Sequence, residues 1–223
     1  MSETADRLSL IKNSLPENVR LVAVSKFHPV EAIKEAYDAG HRIFGESKAQ
    51  ELQAKYPLLP EDIEWHFIGH LQTNKVKYIA PFVSLIHSID SLRLLQEVDR
   101  QALKNNRNIP CLLQIHIAEE ESKFGLDFEE CRNLLQSAEY RSLKNVTIAG
   151  LMGMASNTDD KGQIRKEFSR LHSFFNDVKK EFFPNDPFFK ELSAGMSDDY
   201  VLAVEEGSTL VRVGSRIFGQ REY

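Results

Sequence analysis

Cysteine is scarce in this chain of 223 residues: Cys111 and Cys131 are the only two. Their separation matches no zinc-ligand spacing and they are too few for a disulfide framework, so they read as reduced thiols of an intracellular protein. No hydrophobic run approaches the length of a membrane span. The opening Met1-Ser2-Glu3-Thr4-Ala5-Asp6-Arg7 is too polar for a secretory signal. A cytoplasmic location is the expectation. Positive charge is not in excess either. The 28 Lys and Arg against 33 Asp and Glu give a net charge of −5, which argues against a broad surface tracking nucleic-acid phosphates. There is no P-loop, no G-x-S-x-G elbow and no glycine-rich turn after the first strand-like run, which sets aside nucleotide and α/β-hydrolase readings. No Pro/Gly/Ser-rich linker or low-complexity tract divides the chain, so one domain over residues 1–223 is expected.

What is present is a regular alternation. Hydrophobic residues at 42% with charged residues at 27% describe a folded globular chain. Its apolar runs read as strands over 20–26, 41–45, 65–69, 83–89, 110–117, 146–152, 188–193 and 209–214, with helical patterns between them. Eight such units predict an α/β fold, a single (β/α)8 TIM barrel; alternation alone also allows a doubly wound open sheet. Pro29 marks the first turn of one helix and Gly40 its end. Asp90 and Ser91 cap another, striped by Leu92, Leu95, Val98 and Ala102. The longest helix starts near Asp160, carries Ile164, Phe168, Leu171, Phe175, Val178 and Phe182 on one face, and ends at Pro184. An extra helix over 5–15 precedes the first strand and is expected to cover the barrel floor.

In such a barrel the chemistry sits at the carboxyl ends of the strands, with phosphate held after strands seven and eight. Val22-Ala23-Val24-Ser25-Lys26 delivers an amine to that rim, with Val22 and Val24 on the same side as Lys26 by strand parity. Burial above apolar layers makes an amine easier to deprotonate, and the neutral amine is what attacks an aldehyde. Across the rim stand two small-residue turns, Ser193-Ala194-Gly195-Met196-Ser197 and Gly214-Ser215-Arg216. Their backbone amides and hydroxyls suit a phosphate, although Ser197 equally suits a helix cap. An amine facing a phosphate cradle points to pyridoxal 5′-phosphate (PLP) held as a Schiff base. Arg212, two residues before Gly214, either faces outward to a helix carboxylate or lies against the pyridine nitrogen. Lys123, in the loop after strand five, reads mainly as a solvated lysine. His66 and His70 have H-x-x-x-H spacing without the zincin glutamate, and no metal site is assigned.

Val22-Ala23-Val24-Ser25-Lys26, Phe44-Gly45-Glu46, Trp65-His66-Phe67-Ile68-Gly69, Leu71-Gln72, Asn74-Lys75, Gly150-Leu151-Met152, Gly195-Met196-Ser197-Asp198 and Val211-Arg212-Val213-Gly214 run in order along nearly the whole chain. Together they resemble the pyridoxal phosphate homeostasis protein family. The resemblance implies a barrel like the N-terminal domain of alanine racemase, with PLP on Lys26. It implies that Ser193, Ser197, Gly214 and Ser215 serve the phosphate, with Ser193 favoured over Ser197 for the direct contact, and that Arg212 serves the ring nitrogen. The implied role is non-catalytic: buffering or delivering PLP, with PLP-dependent apo-enzymes as partners, and balancing amino- and keto-acid pools, as a monomer or weak homodimer. The chain departs from the family pattern at Ser47, where Asn is usual, at Ala194, where Met is usual, and at Phe27-His28, where many relatives carry a second lysine.

Two other readings use the same lysine. A PLP-dependent amino-acid racemase of the alanine racemase type needs a proton donor on each face of the substrate. Only residues 215–223 follow the last strand to supply one, and Tyr223 is a poor substitute for a second domain. A Schiff-base aldolase needs an acid/base set near Lys26, and spacing reveals none.

Overall fold

The alternation of apolar runs and amphipathic helices closes on itself. The computed structural model describes residues 2–119 and 124–219. Lys123 and Tyr223 lie outside them. Eight parallel strands form a closed barrel: β1 (Arg20–Val24), β2 (Ile43–Glu46), β3 (Glu64–Phe67), β4 (Leu85–Ile89), β5 (Ile109–Ile115), β6 (Val146–Gly153), β7 (Glu191–Ser193) and β8 (Leu210–Val213). All eight expected strands are present. Pairing of β1 with β8, from Arg20↔Leu210 to Ala23↔Val213, removes the open-sheet alternative.

Side-chain alternation sorts the strands into two apolar layers. Val22, Leu85, Leu112, Ala149, Met152 and Leu210 fill the barrel interior. Their neighbours Ala23, Phe44, Trp65, Phe67, Ile86, Leu113, Leu151 and Val211 face the helices and join a far larger cluster. Each fully buried Leu, Ile or Phe contributes about 1.5–3 kcal/mol, so the sheet–helix layer supplies most of the apolar stabilisation.

The ring of helices runs α1 (Glu3–Ser14), α2 (Val30–Asp38), α3 (Ala49–Lys55), α4 (Val76–Ile79), α5 (Leu92–Lys104), α6 (Phe128–Gln136), α7 (Ala138–Ser142), α8 (Lys161–Phe182), α9 (Tyr200–Glu205) and α10 (Ser215–Phe218). Pro29 is the N-cap of α2 rather than its first residue, and Gly40 (φ +84°) follows its end. Ser91 caps α5, its Oγ accepting from Leu94 N–H, and Asp160 caps α8. Among the described residues no helix is long and apolar enough to cross a membrane.

One expectation is corrected. The extra helix α1 does not cover the floor; it packs in the ring against α2 and α10, burying Ala5, Leu8 and Ile11. The floor is mixed, with Leu85, Pro110, Ala149 and Phe188 lying beside charged residues. There Arg20 pairs with Glu191 at 3.0 Å and with Glu64 at 3.8 Å, so a helix laid across it would desolvate these charges.

Candidate functional site

The carboxyl ends of β1, β7 and β8 converge on a cleft of about 260 Å³. Lys26, Ser197, Arg212, Gly214 and Ser215 line it, with Val24, Ile68 and Met154 as its apolar wall and Ser47, Met196 and Asp198 completing it. Five of the six residues singled out from the sequence thus meet at one place. Larger depressions lie away from these strand ends: about 590 Å³ between α6 and α8, and about 460 Å³ at the floor.

Lys26 stands two residues beyond Val24, half-buried, on the inward side that Val22 and Val24 define. Opposite it, the turn after β7 reverses at Gly195 (φ +92°), where a Cβ would lie 2.7 Å from Ala203 Cβ and 2.8 Å from Tyr200 Cα. Only glycine fits there. Asp199 fixes the turn by accepting the Met196 N–H at 2.5 Å. Ser197 does not cap the helix that follows, since α9 starts at Tyr200 behind Asp199. Its Oγ accepts the Gly214 N–H at 3.3 Å instead, tying the two turns together. Gly214 precedes α10, whose first N–H groups have no partner within that helix.

Ser193 is the exception. It is fully buried below the cleft and does not line it. Its Oγ accepts from Arg212 Nη1 at 2.5 Å and contacts His87 Nδ1 at 2.9 Å. Ser193 therefore does not reach the cleft, and its hydroxyl supports Arg212. Arg212 is inward, not paired to a helix carboxylate. A second bond to the Gly153 carbonyl, at 3.2 Å, holds its guanidinium. Burial pulls its pKa down to about 10, opposed by the negative charge of Asp199, which leaves it charged at neutral pH.

The chain of contacts continues down the barrel axis, because His87 Nε2 lies 3.0 Å from His66 Nδ1. Arginine can only donate, so the chain is satisfied when Ser193 passes its own proton to His87 Nδ1 and His87 Nε2–H donates to His66. Both imidazoles must then be neutral. Burial holds His66 down to about 3 and pushes His87 well below the ordinary imidazole value, with the charge of Arg212 adding to the effect on His87. The sequence reading missed this chain, although His66 sits between the outward Trp65 and Phe67 and so had to point inward. It is not brought to His70, which sits on the rim, 3.3 Å from Asp90 and stacked on Phe124.

A profile described as "Alanine racemase, N-terminal domain" matches residues 1–222, the class that an amine-bearing barrel rim of this kind defines. Alanine racemase from E. faecalis superposes with a TM-score of 0.78 at 16% identity, over 98% of this chain and 58% of that one, a likeness of fold alone. Closer relatives are named pyridoxal phosphate homeostasis proteins. That of Aquifex aeolicus is 40% identical, covering 92% of this chain and 88% of its own, and that of Schizosaccharomyces pombe is 38% identical, covering 99% and 94%. The structure of PipY from Synechococcus elongatus PCC7942 with PLP bound has a TM-score of 0.85 at 37% identity, over 97% of this chain and all of that one. The chain belongs to the pyridoxal phosphate homeostasis protein family.

Proposed function

We propose that the rim cleft binds PLP, attached covalently through Lys26 Nζ, and that the protein acts in PLP and amino-acid homeostasis without efficient turnover. The observation that carries this reading is the meeting of an amine, a two-turn cradle and a buried guanidinium in one cleft. The donor set fits the group. Ser197 and the turn amides suit a phosphate dianion, and Lys26 reaches the same space from β1. When bound, PLP supplies an aldehyde for the amine and a ring whose nitrogen, once protonated, makes it an electron sink.

The chain's own residues argue for retention over turnover. Arg212 keeps its charge and can only donate, so a proton on a ring nitrogen placed against it is opposed. Among the described residues, the only titratable side chains lining the cleft are Lys26, Arg212 and Asp198. Asp198 is exposed to water. Delivery of PLP to apo-enzymes is consistent with this arrangement and belongs to the same proposal.

Two measurements test it. Borohydride reduction followed by peptide mapping is expected to find the cofactor mass on Lys26; an unmodified Lys26, or a label mainly on Lys123, sinks the assignment. Solvent deuterium exchange at Cα across a panel of free amino acids is expected to be negligible. Exchange at rates typical of enzymes would promote the racemase reading instead.

A further inference from the structure

Behind Lys26, on the helix side of β1 and β2, lies an ionic cluster that the cleft does not use. Glu46 is wholly buried, Lys55 nearly so, and both Glu51 and Lys55 project from α3 one turn apart. Lys55 Nζ spends all three donors here: on the Ser25 carbonyl at 2.9 Å, on Glu46 Oε1 at 2.8 Å and on Glu51 Oε1 at 2.7 Å. Ser25 Oγ donates to Glu46 Oε1 at 2.6 Å, and the Phe27 N–H donates to Glu51 Oε1 at 2.7 Å.

These partners bracket Lys26. The Ser25 carbonyl belongs to the peptide group before it and the Phe27 N–H to the peptide group after it, so both planes that set its backbone are pinned. Ser25 and His28 close a tight turn through the His28 N–H, 3.1 Å from the Ser25 carbonyl, with Lys26 and Phe27 at its centre. Phe27 occupies the third position at φ +66°, where such turns ordinarily carry glycine. A phenylalanine held there is strained, and the charge-assisted bond to Glu51 opposes its relaxation. The cluster is also costly as a mere packing device. Glu46 Oε2 is buried with no hydrogen-bond partner, and well-packed apolar side chains would serve a structural role as well or better.

We propose that Lys55 and Glu51 are positioning residues for Lys26: they fix the strained turn that aims its amine into the cleft. The proposal rests on the reading that Lys26 carries the cofactor, and the tests separate the two. In cofactor-free protein, hydrogen exchange at the Phe27 amide and pH-dependent acylation of Lys26 are measured for the wild type, Glu51→Ala, Glu51→Gln and Lys55→Met. Adduct formation on Lys26 with added PLP is followed by borohydride trapping. Glu51→Ala is expected to speed Phe27 exchange and slow adduct formation, each by at least about 10-fold, the loss of one hydrogen bond to a charged acceptor. It should also alter the acylation profile of Lys26. Glu51→Gln keeps an acceptor and is expected to restore most of each. Lys55→Met, which retains the apolar stem, is the second variant should Glu51→Ala fail to fold. Wild-type acylation and adduct rates in variants whose Phe27 amide has been released would overturn the proposal. A wild-type protein that forms no Lys26 adduct would overturn the cofactor reading, while Phe27 exchange and Lys26 acylation still decide the positioning role.

Discussion

Taking the cofactor-free protein from pH 7 to pH 5 should remove at least about 2 kcal/mol of its stability, a net figure obtained from buried groups pulling in opposite directions. Burial keeps His66 at about 3 and His41 at about 4, and holds His87 well below the ordinary value. In the unfolded chain each protonates near pH 6.5. The unfolded state therefore binds more protons on acidification, and the stability these groups contribute is complete above about pH 6.5 and lost as pH falls. Over this interval His66 and His41 each cost about 2 kcal/mol, and His87 adds a loss of the same sign. Glu46 works the other way. Burial pushes it up to about 7 from an ordinary 4.5, so the folded protein holds a proton that the unfolded chain has released. Its destabilisation is greatest above pH 7 and is relieved on acidification, returning about 2 kcal/mol by pH 5. Protonation of His87 would also set a second cation against Arg212 across Ser193. Urea unfolding at pH 7, 6 and 5 reads the balance; with a slope of about 2 kcal/mol per molar, the midpoint should drop by at least about 1 M. Glu46→Gln should enlarge the acid loss and His87→Gln should reduce it. Equal midpoints at pH 7 and pH 5 would refute a barrel axis built on neutral imidazoles.

Two further outcomes follow from the cradle. A Cβ at Gly214 would lie 3.1 Å from the Val24 carbonyl, so Gly214→Leu should displace the turn and abolish PLP retention while the far-UV spectrum is kept; unchanged affinity in a folded variant would rule the cradle out. Ser197→Ala should weaken PLP binding by about 10- to 100-fold, one hydrogen bond to a charged group, whereas Ser193→Ala should mainly change the absorption of bound PLP by loosening Arg212. Titrating both with PLP decides the matter, and a larger affinity loss for Ser193→Ala would reverse the assignment.

Strand existence and facing were legible because period-two burial is local: Val22, Val24 and Lys26 could be placed on one side from three positions alone. Depth along the barrel axis was not. Ser193 and Ser197 look alike as members of one serine-rich turn, yet β7 ends at Ser193, and strand stagger drops that residue below the rim. No linear pattern encodes stagger. Placement of α1 failed for a related reason, since the charges that repel it from the floor come from β1, β3 and β7. The Lys55 cluster joins β1, β2 and α3 through space. Of its members, only Ser25 and Glu46 fell within the motifs that carried the family resemblance, and neither drew notice as a site residue.

The seam between β1 and β8 gives the cleft a mechanical meaning. Lys26 extends from the first strand and Arg212 and Gly214 from the last, so the barrel is fastened, where its two chain-distant edges meet, by whatever spans them. If PLP is held as proposed, covalently on one edge and hydrogen-bonded to the other, it is a clasp. Its binding free energy is added to the closure of the ring, and its departure leaves β1 held to β8 by four residue pairs and by the packing of α1 on α10. Exchange of β8 amides, with and without the clasp, would report how far the loaded and empty barrels differ in rigidity, and hence whether an empty barrel can itself be sensed.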